Sequence, residues 1–231
     1  MGVFVREVKI GGQGLAVSAL FFEMQEAAAE QSRLLGWGYE DMKAHGVMWV
    51  VTRYQLQISR WPSPGETVTV LTWPGDTRHG MYLRYFRVTE GEELLMEGSS
   101  LWAVVDRESR KMLQPSQSGV EIPAEHTGME SRPPMAPKRR EAPQTGLFLV
   151  PEDYLDGNGH MNNTRYFDLG QRELGMAKES LGELRAEFAN EALLGDQLRL
   201  GRVLEEGLGY LSGESDRAGA CFRMEWRERG V

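Results

Sequence analysis

Gly65-Glu66-Thr67-Val68-Thr69-Val70 has a counterpart late in the chain, Gly195-Asp196-Gln197-Leu198-Arg199-Leu200. Each opens with a glycine and an acid, the composition of a tight turn, and continues with apolar residues at every second position. That is the pattern of a strand with one buried face. Such turns also arise independently, so the argument rests on what precedes them. In both cases a strand pattern and a helix pattern come first, at comparable distances. Repetition of an ordered set of elements indicates an internal duplication.

Working outward from the first copy, residues 4–10 alternate and read as a strand, broken by Gly11-Gly12-Gln13-Gly14. Leu20, Phe21, Met24, Ala27, Ala28, Gln31 and Leu35 then recur on one helical face, with Ser18 placed to cap the N-terminus and Gly36-Trp37-Gly38 to end it. So broad an apolar face predicts a helix lying against a sheet. Strand patterns follow over 47–58, 67–73, 81–89 and 94–105, with turns at 61–65, 74–76 and 90–92. Around the second copy, strand patterns cover 145–150, 184–188, 197–204, 210–213 and 217–227, and a helix is expected from 161 to about 175. In the last strand Ala218, Ala220, Phe222, Met224 and Trp226 share a face, and Cys221 falls out of phase with them.

Between the halves the pattern dissolves into scattered charges and Pro115, Pro123, Pro133, Pro134 and Pro137. A connector of that length is unusual inside one compact domain and natural between two units. The expected organisation is therefore residues 1–106 as one unit, 107–142 as a linker and 143–231 as a second unit. One helix with an antiparallel sheet, twice over, is an α+β class.

Composition narrows the function. The 231 residues are 41% hydrophobic and 26% charged, ordinary for a globular protein, and no apolar run reaches membrane-spanning length. The charged N-terminal residues lack a signal-peptide core, so a cytoplasmic location is expected. A formal charge of −8 argues against nucleic-acid binding, and an acidic partner would need a local basic patch. Arg132, Lys138, Arg139 and Arg140 form the best such cluster in sequence. The single cysteine excludes an internal disulfide, and four scattered histidines show no metal-ligand spacing. No glycine-rich phosphate loop follows a strand, so neither metal nor cofactor is expected.

The chemistry concentrates in Tyr154-Leu155-Asp156-Gly157-Asn158-Gly159-His160-Met161-Asn162-Asn163-Thr164-Arg165-Tyr166. A carboxylate, an amide and an imidazole alternate with two glycines, an arrangement able to present all three on one side. Asn162-Asn163-Thr164 offers capping residues, so the loop should feed the N-terminus of a helix, where free N–H groups suit a developing oxyanion.

Asp-x-Asn-x-His followed by x-Asn-Asn-x-x-Tyr resembles the signature of the acyl-ACP (acyl-acyl carrier protein) thioesterases of plants and bacteria. Gln25-Glu26-Ala27-Ala28, 46–53, Thr72-Trp73-Pro74 and Asn190-Glu191-Ala192 before Gly195-Asp196 are similar to that family in the same order. The resemblance implies a double hotdog fold, a fatty acyl-ACP partner and hydrolysis of its thioester. It implies catalytic roles for Asp156, Asn158, His160 and Glu191, and no cofactor. Glu191 and His160 would activate a water, or His160 would polarise the carbonyl. Asn158 would donate to the oxyanion or hold the water, and Asp156 would orient its neighbours or attack. Where some members carry a cysteine after the glutamate, this chain has Ala192, so a thiol nucleophile beside Glu191 is excluded. The first unit has only Gln13 and Ser18 at the corresponding place, and is expected to shape an acyl pocket, with Met24, Ala28, Met48, Trp49 and Trp73 as candidate lining. An acyl-CoA thioesterase and an acyl-thioester-binding protein without activity are the alternatives. A homodimer is open.

Overall fold

The structure, a computed structural model, describes residues 2–230. Along the chain run β1 (Phe4–Lys9), α1 (Val17–Leu34), α2 (Tyr39–Ala44), β2 (Val47–Ile58), β3 (Thr67–Arg78), β4 (Met81–Glu90), β5 (Glu93–Asp106), β6 (Met112–Leu113) and α3 (Pro115–Ser118). After the connector come β7 (Gln144–Leu149), α4 (Arg165–Leu174), β8 (Leu181–Phe188), β9 (Gln197–Glu205), β10 (Leu208–Ser215) and β11 (Gly219–Glu228).

The strands pair antiparallel in one sheet, ordered β1-β3-β4-β5-β2-β8-β11-β10-β9-β7, with β6 on β5. Read from each outer edge inward, the first half is β1-β3-β4-β5-β2 and the second β7-β9-β10-β11-β8. The orders correspond strand for strand, which is the duplication expressed as topology. The halves join where β2 pairs with β8, from Arg53 opposite Glu187 to Gln57 opposite Glu183. Each half holds one main helix on its sheet: a double hotdog.

The apolar stripe of α1 explains its seat. Leu20, Phe21, Met24, Ala27 and Ala28 are buried, and α1 packs mainly on β3. Phe21 stacks on Phe167 of α4, ring centroids 3.7 Å apart, so the helices meet through one aromatic contact. Three residues on from each ring stand Met24 and Gly170. A Cβ at Gly170 would lie 2.5 Å from Met224 Sδ and 2.8 Å from the Trp226 ring, so α4 lies tight against β11.

Four expectations need correction. Ala16, without a side-chain hydrogen bond, occupies the N-cap of α1, and Ser18 lies inside the first turn. The 74–76 segment does not reverse the chain: β3 runs through it with a register shift between Pro74 and Thr77. The reversal comes at His79-Gly80, both at positive φ. The second helix starts at Arg165, because residues 155–161 close on themselves first. Finally, Cys221 is fully buried and Ala220 is exposed, the reverse of simple alternation. A bulge opposite Gly213 and Glu214 inserts one residue and turns Cys221 inward beside Phe222.

The connector has little regular structure, yet it is held. Tyr82 Oη donates to Val120 O (2.8 Å), Trp37 Nε1 to Glu121 O (3.0 Å), and Ser99 Oγ to Arg132 O (2.6 Å). Its backbone satisfies polar groups with side chains of the first unit instead of with a ladder.

Candidate active site

From Val150 the chain makes a short 3-10 turn at Glu152–Tyr154 and enters the loop. A bridge between Leu155 and Met161 pinches the loop shut. Inside it, Asp156 N donates to His160 O (2.7 Å) and Gly159 N to Asp156 O (3.0 Å). Gly159 sits at φ 78°, a left-handed position that a side chain would strain. Asp156 Oδ1 accepts the N–H groups of Asn158 (2.8 Å) and His160 (3.2 Å). Its carboxylate thus organises the turn that presents the other two residues.

The three polar side chains take separate partners. Asn158 Oδ1 accepts from Arg107 Nη2 at 3.2 Å, which leaves its amide N–H groups to donate elsewhere. His160 Nε2 lies 3.0 Å from Glu191 Oε2. This pairing follows from the backbone: His160 bridges Leu193, and Met161 N donates to Ala192 O (2.8 Å), so the 190–196 segment runs beside the loop. Met161 and Ala192 are buried and anchor both strands of that contact.

Arginines secure the segment carrying Glu191. Arg217 Nη2 donates to the Glu191 carbonyl (2.7 Å) and to Asp196 Oδ2 (2.8 Å), while Asp196 Oδ2 also accepts Leu193 N (2.9 Å). The Arg217 hydrogen bond holds the Asp196 carboxyl below the usual aspartate range. Arg110 Nη1 reaches Glu191 Oε2 at 3.6 Å from a left-handed backbone position, φ 59°. Arg107 and Arg110, three residues apart in the turn after β5, therefore touch Asn158 and Glu191 respectively.

A cavity of about 250 Å³ opens beside this loop. Its walls come mainly from the first unit, including Ala28, Met42, Trp49, Tyr82 and Trp102, and the second unit adds Asp156, Asn158 and Asn163. The His160–Glu191 pair stands beside the cavity and not in its lining. Of the expected lining residues, Ala28, Met48 and Trp49 are in the wall, whereas Met24 and Trp73 are packed in core clusters. Arg107, Arg110 and Arg217 were not legible as site residues, because charged turns have no local pattern that marks a destination. None of Arg132, Lys138, Arg139 and Arg140 lines this cavity. Arg139 and Arg140 border a separate groove on the second unit, and Arg140 is paired with Glu205.

The first unit repeats the frame without the site. Gly65 N donates to Ile10 O (3.0 Å), Ile10 N to Glu66 O (2.8 Å) and Ser63 N to Glu66 Oε2 (2.8 Å). In the second unit Gly195, Val150, Asp196 and Leu193 make the same bonds. By this register Trp61 stands where Glu191 does. It is 4% exposed, and its Nε1 donates to Leu15 O at 2.9 Å.

Residues 5–118 match the profile of the acyl-ACP thioesterase N-terminal domain. By that match the first half of the chain is similar to the N-terminal domain of the acyl-ACP thioesterase family. Among proteins similar to this chain, a palmitoyl-acyl carrier protein thioesterase of Gossypium hirsutum is 29% identical over 181 residues, 70% of this chain and 43% of that one. The chain thus spans less than half the length of that relative. An acyl-ACP thioesterase of Bacteroides thetaiotaomicron superposes with a TM-score of 0.84 over 98% of both chains at 16% identity. A 12:0-ACP thioesterase of Umbellularia californica gives 0.78 over 98% of this chain and 97% of that one, at 21% identity. These two likenesses establish the double hotdog fold across almost the whole chain. No described helix is long and apolar enough to cross a membrane, and no described cluster of His, Cys, Asp or Glu could hold a metal ion.

Proposed function

We propose that the protein hydrolyses the thioester of fatty acyl-acyl carrier protein, releasing free fatty acid and holo-ACP and so ending chain growth in fatty acid synthesis. The observation that carries the reading is the 3.0 Å His160–Glu191 contact beside a largely apolar cavity whose polar edge is Asp156 and Asn158. In this reading residues 1–106 shape the acyl pocket, 107–142 connect, and 143–231 supply the catalytic groups.

A carboxylate only accepts, so the ring proton shared with Glu191 sits on Nε2 and the basic lone pair falls to Nδ1. Nδ1 takes a proton from water as the water oxygen bonds to the thioester carbon. Glu191 stabilises the imidazolium that forms, the division of labour familiar from carboxylate–histidine pairs. The carbonyl oxygen gains charge and receives N–H bonds from the Asn158 amide. Collapse of the intermediate breaks the C–S bond, and the proton passes from the ring to the departing sulfur. Asp156, already accepting two loop N–H groups, positions Asn158 and His160 and does not attack.

The test is turnover of acyl-ACP and acyl-CoA at equal concentration by the intact protein and by H160A and E191A. Acyl-ACP should be preferred, and each variant should lose about 100-fold or more in kcat. Equal use of acyl-CoA would reassign the substrate, and full activity in both variants would reject the mechanism.

A further inference from the structure

Arg84 takes no part in that chemistry, yet it lines the cavity and is only 6% exposed. Its guanidinium donates to Gln31 Oε1 (2.5 Å), Thr72 Oγ1 (3.2 Å) and Ser32 Oγ (3.3 Å). All three partners are neutral, and among the described residues no carboxylate lies within ion-pair distance. Elsewhere in the sheet Arg53, Arg87, Arg185 and Arg223 each rest against a glutamate. Burial pushes the Arg84 pKa down to about 10, so the group stays cationic at neutral pH.

A buried charge with no counter-ion is costly, and a cation retained in a wall that also holds Trp49, Tyr82 and Trp102 calls for a partner. A guanidinium has five N–H donors, and three hydrogen bonds account for only part of them. A plain hydrocarbon in the cavity would remove water from Arg84 and return nothing. A chain carrying an oxygen would accept from it.

Position sets where on the chain that oxygen belongs. Gln31 and Ser32, which hold Arg84, lie ten and eleven residues beyond Phe21, where α1 meets α4. At the helical rise that is about 15 Å along α1. Asp156 and Asn158 sit at the outer edge, close before α4 begins, and Asn158 is exposed.

We propose that this cavity selects acyl chains bearing an acceptor oxygen (hydroxyl, keto or carboxylate) remote from the thioester, with Arg84 as the residue that recognises it. The inference rests on the acyl-thioester reading of the site and adds the chemistry of the far end of the chain.

Binding by calorimetry tests it without turnover. The probes are uncleavable amide analogues of acyl-pantetheine, matched in length and ending in methyl, hydroxyl, ketone or carboxylate, over a range of lengths. At the length that reaches Arg84 an oxygen-terminated chain should bind about tenfold or more tightly than its methyl-terminated counterpart. R84M, checked by its melting transition, should abolish that difference, and R84K should retain part of it. Methyl-terminated chains binding equally or more tightly at every length to the unsubstituted protein would overturn the proposal, whether or not R84M folds. Thioester turnover on the same preparations separates the two readings. Selective binding without hydrolysis would reject only the proposed activity, and hydrolysis without selectivity would reject only the role of Arg84.

Discussion

Ahead of β3 the chain places Trp61, and ahead of β9, in a turn with the same hydrogen bonds, it places Glu191. In the first unit α1 begins seven residues after Ile10. In the second, α4 begins fifteen residues after Val150, and the additional chain is the loop of Asp156, Asn158 and His160. The first unit closes the end of its sheet with an indole whose N–H reaches Leu15 O, a carbonyl that Lys178 of the second unit also donates to at 2.8 Å. The second unit leaves that place to a carboxylate and a polar loop. One frame therefore serves two ends. Burying a large aromatic side chain stabilises the fold, whereas under the proposed mechanism an acid and an imidazole there give up that burial for chemistry.

The largest effect that would test this contrast is on stability. W61A should cost about 3–5 kcal/mol in denaturant unfolding, because it empties a buried site and removes one of two donors to the Leu15 carbonyl. Its turnover per folded molecule should stay within about twofold. Loss of activity with stability intact would mean that the first unit's turn is itself a catalytic element. Next, E191A and H160A should show the converse. Their catalytic loss of about 100-fold is equivalent to about 2.7 kcal/mol in the barrier, whereas unfolding should change by less than about 1 kcal/mol, since the pair is partly exposed. A collapse of the fold in E191A would show the carboxylate to be structural.

A smaller effect probes what the two turns share. The carboxyls of Glu66 and Asp196 are both held low, the former chiefly by the Ser63 N–H and the latter chiefly by Arg217. A depressed carboxyl stabilises the fold above the unfolded-state pKa of about 4, and that contribution fades as pH falls through the folded value. D196N should therefore lose roughly 1–2 kcal/mol at neutral pH, with the deficit shrinking in strong acid. A deficit that grows toward low pH in unfolding titrations would contradict the assignment. The smallest effect belongs to C221A. The thiol is buried and its pKa pushed up by that burial, so turnover should change by less than about twofold. A dead C221A enzyme would end the water mechanism.

Legibility in the sequence followed locality. The 47–58 strand has the bounds its pattern predicted, because β-branched and aromatic residues in a run report on their own backbone. Breaks came where a tertiary contact or an inserted residue overrode the pattern. Pro74 sits in a bulged strand, Cys221 is swung inward by another bulge, and α2 buries only Met42, too little for a period to show.

Residue order alone determined that the chain is two copies of one helix-and-sheet unit, and that only the second copy has the Asp-x-Asn-x-His loop. Turn composition and hydrophobic period are properties of neighbours in sequence, so both survive without coordinates. Only the folded chain decided that Glu191 meets His160, that Trp61 fills the matching place, that Arg107 and Arg110 reach Asn158 and Glu191 from the turn after β5, and that Arg84 is buried without a counter-ion. Those facts depend on which strands pair and how deeply each side chain is enclosed, and a charged residue's letter says nothing about which carboxylate, if any, the fold will bring to it.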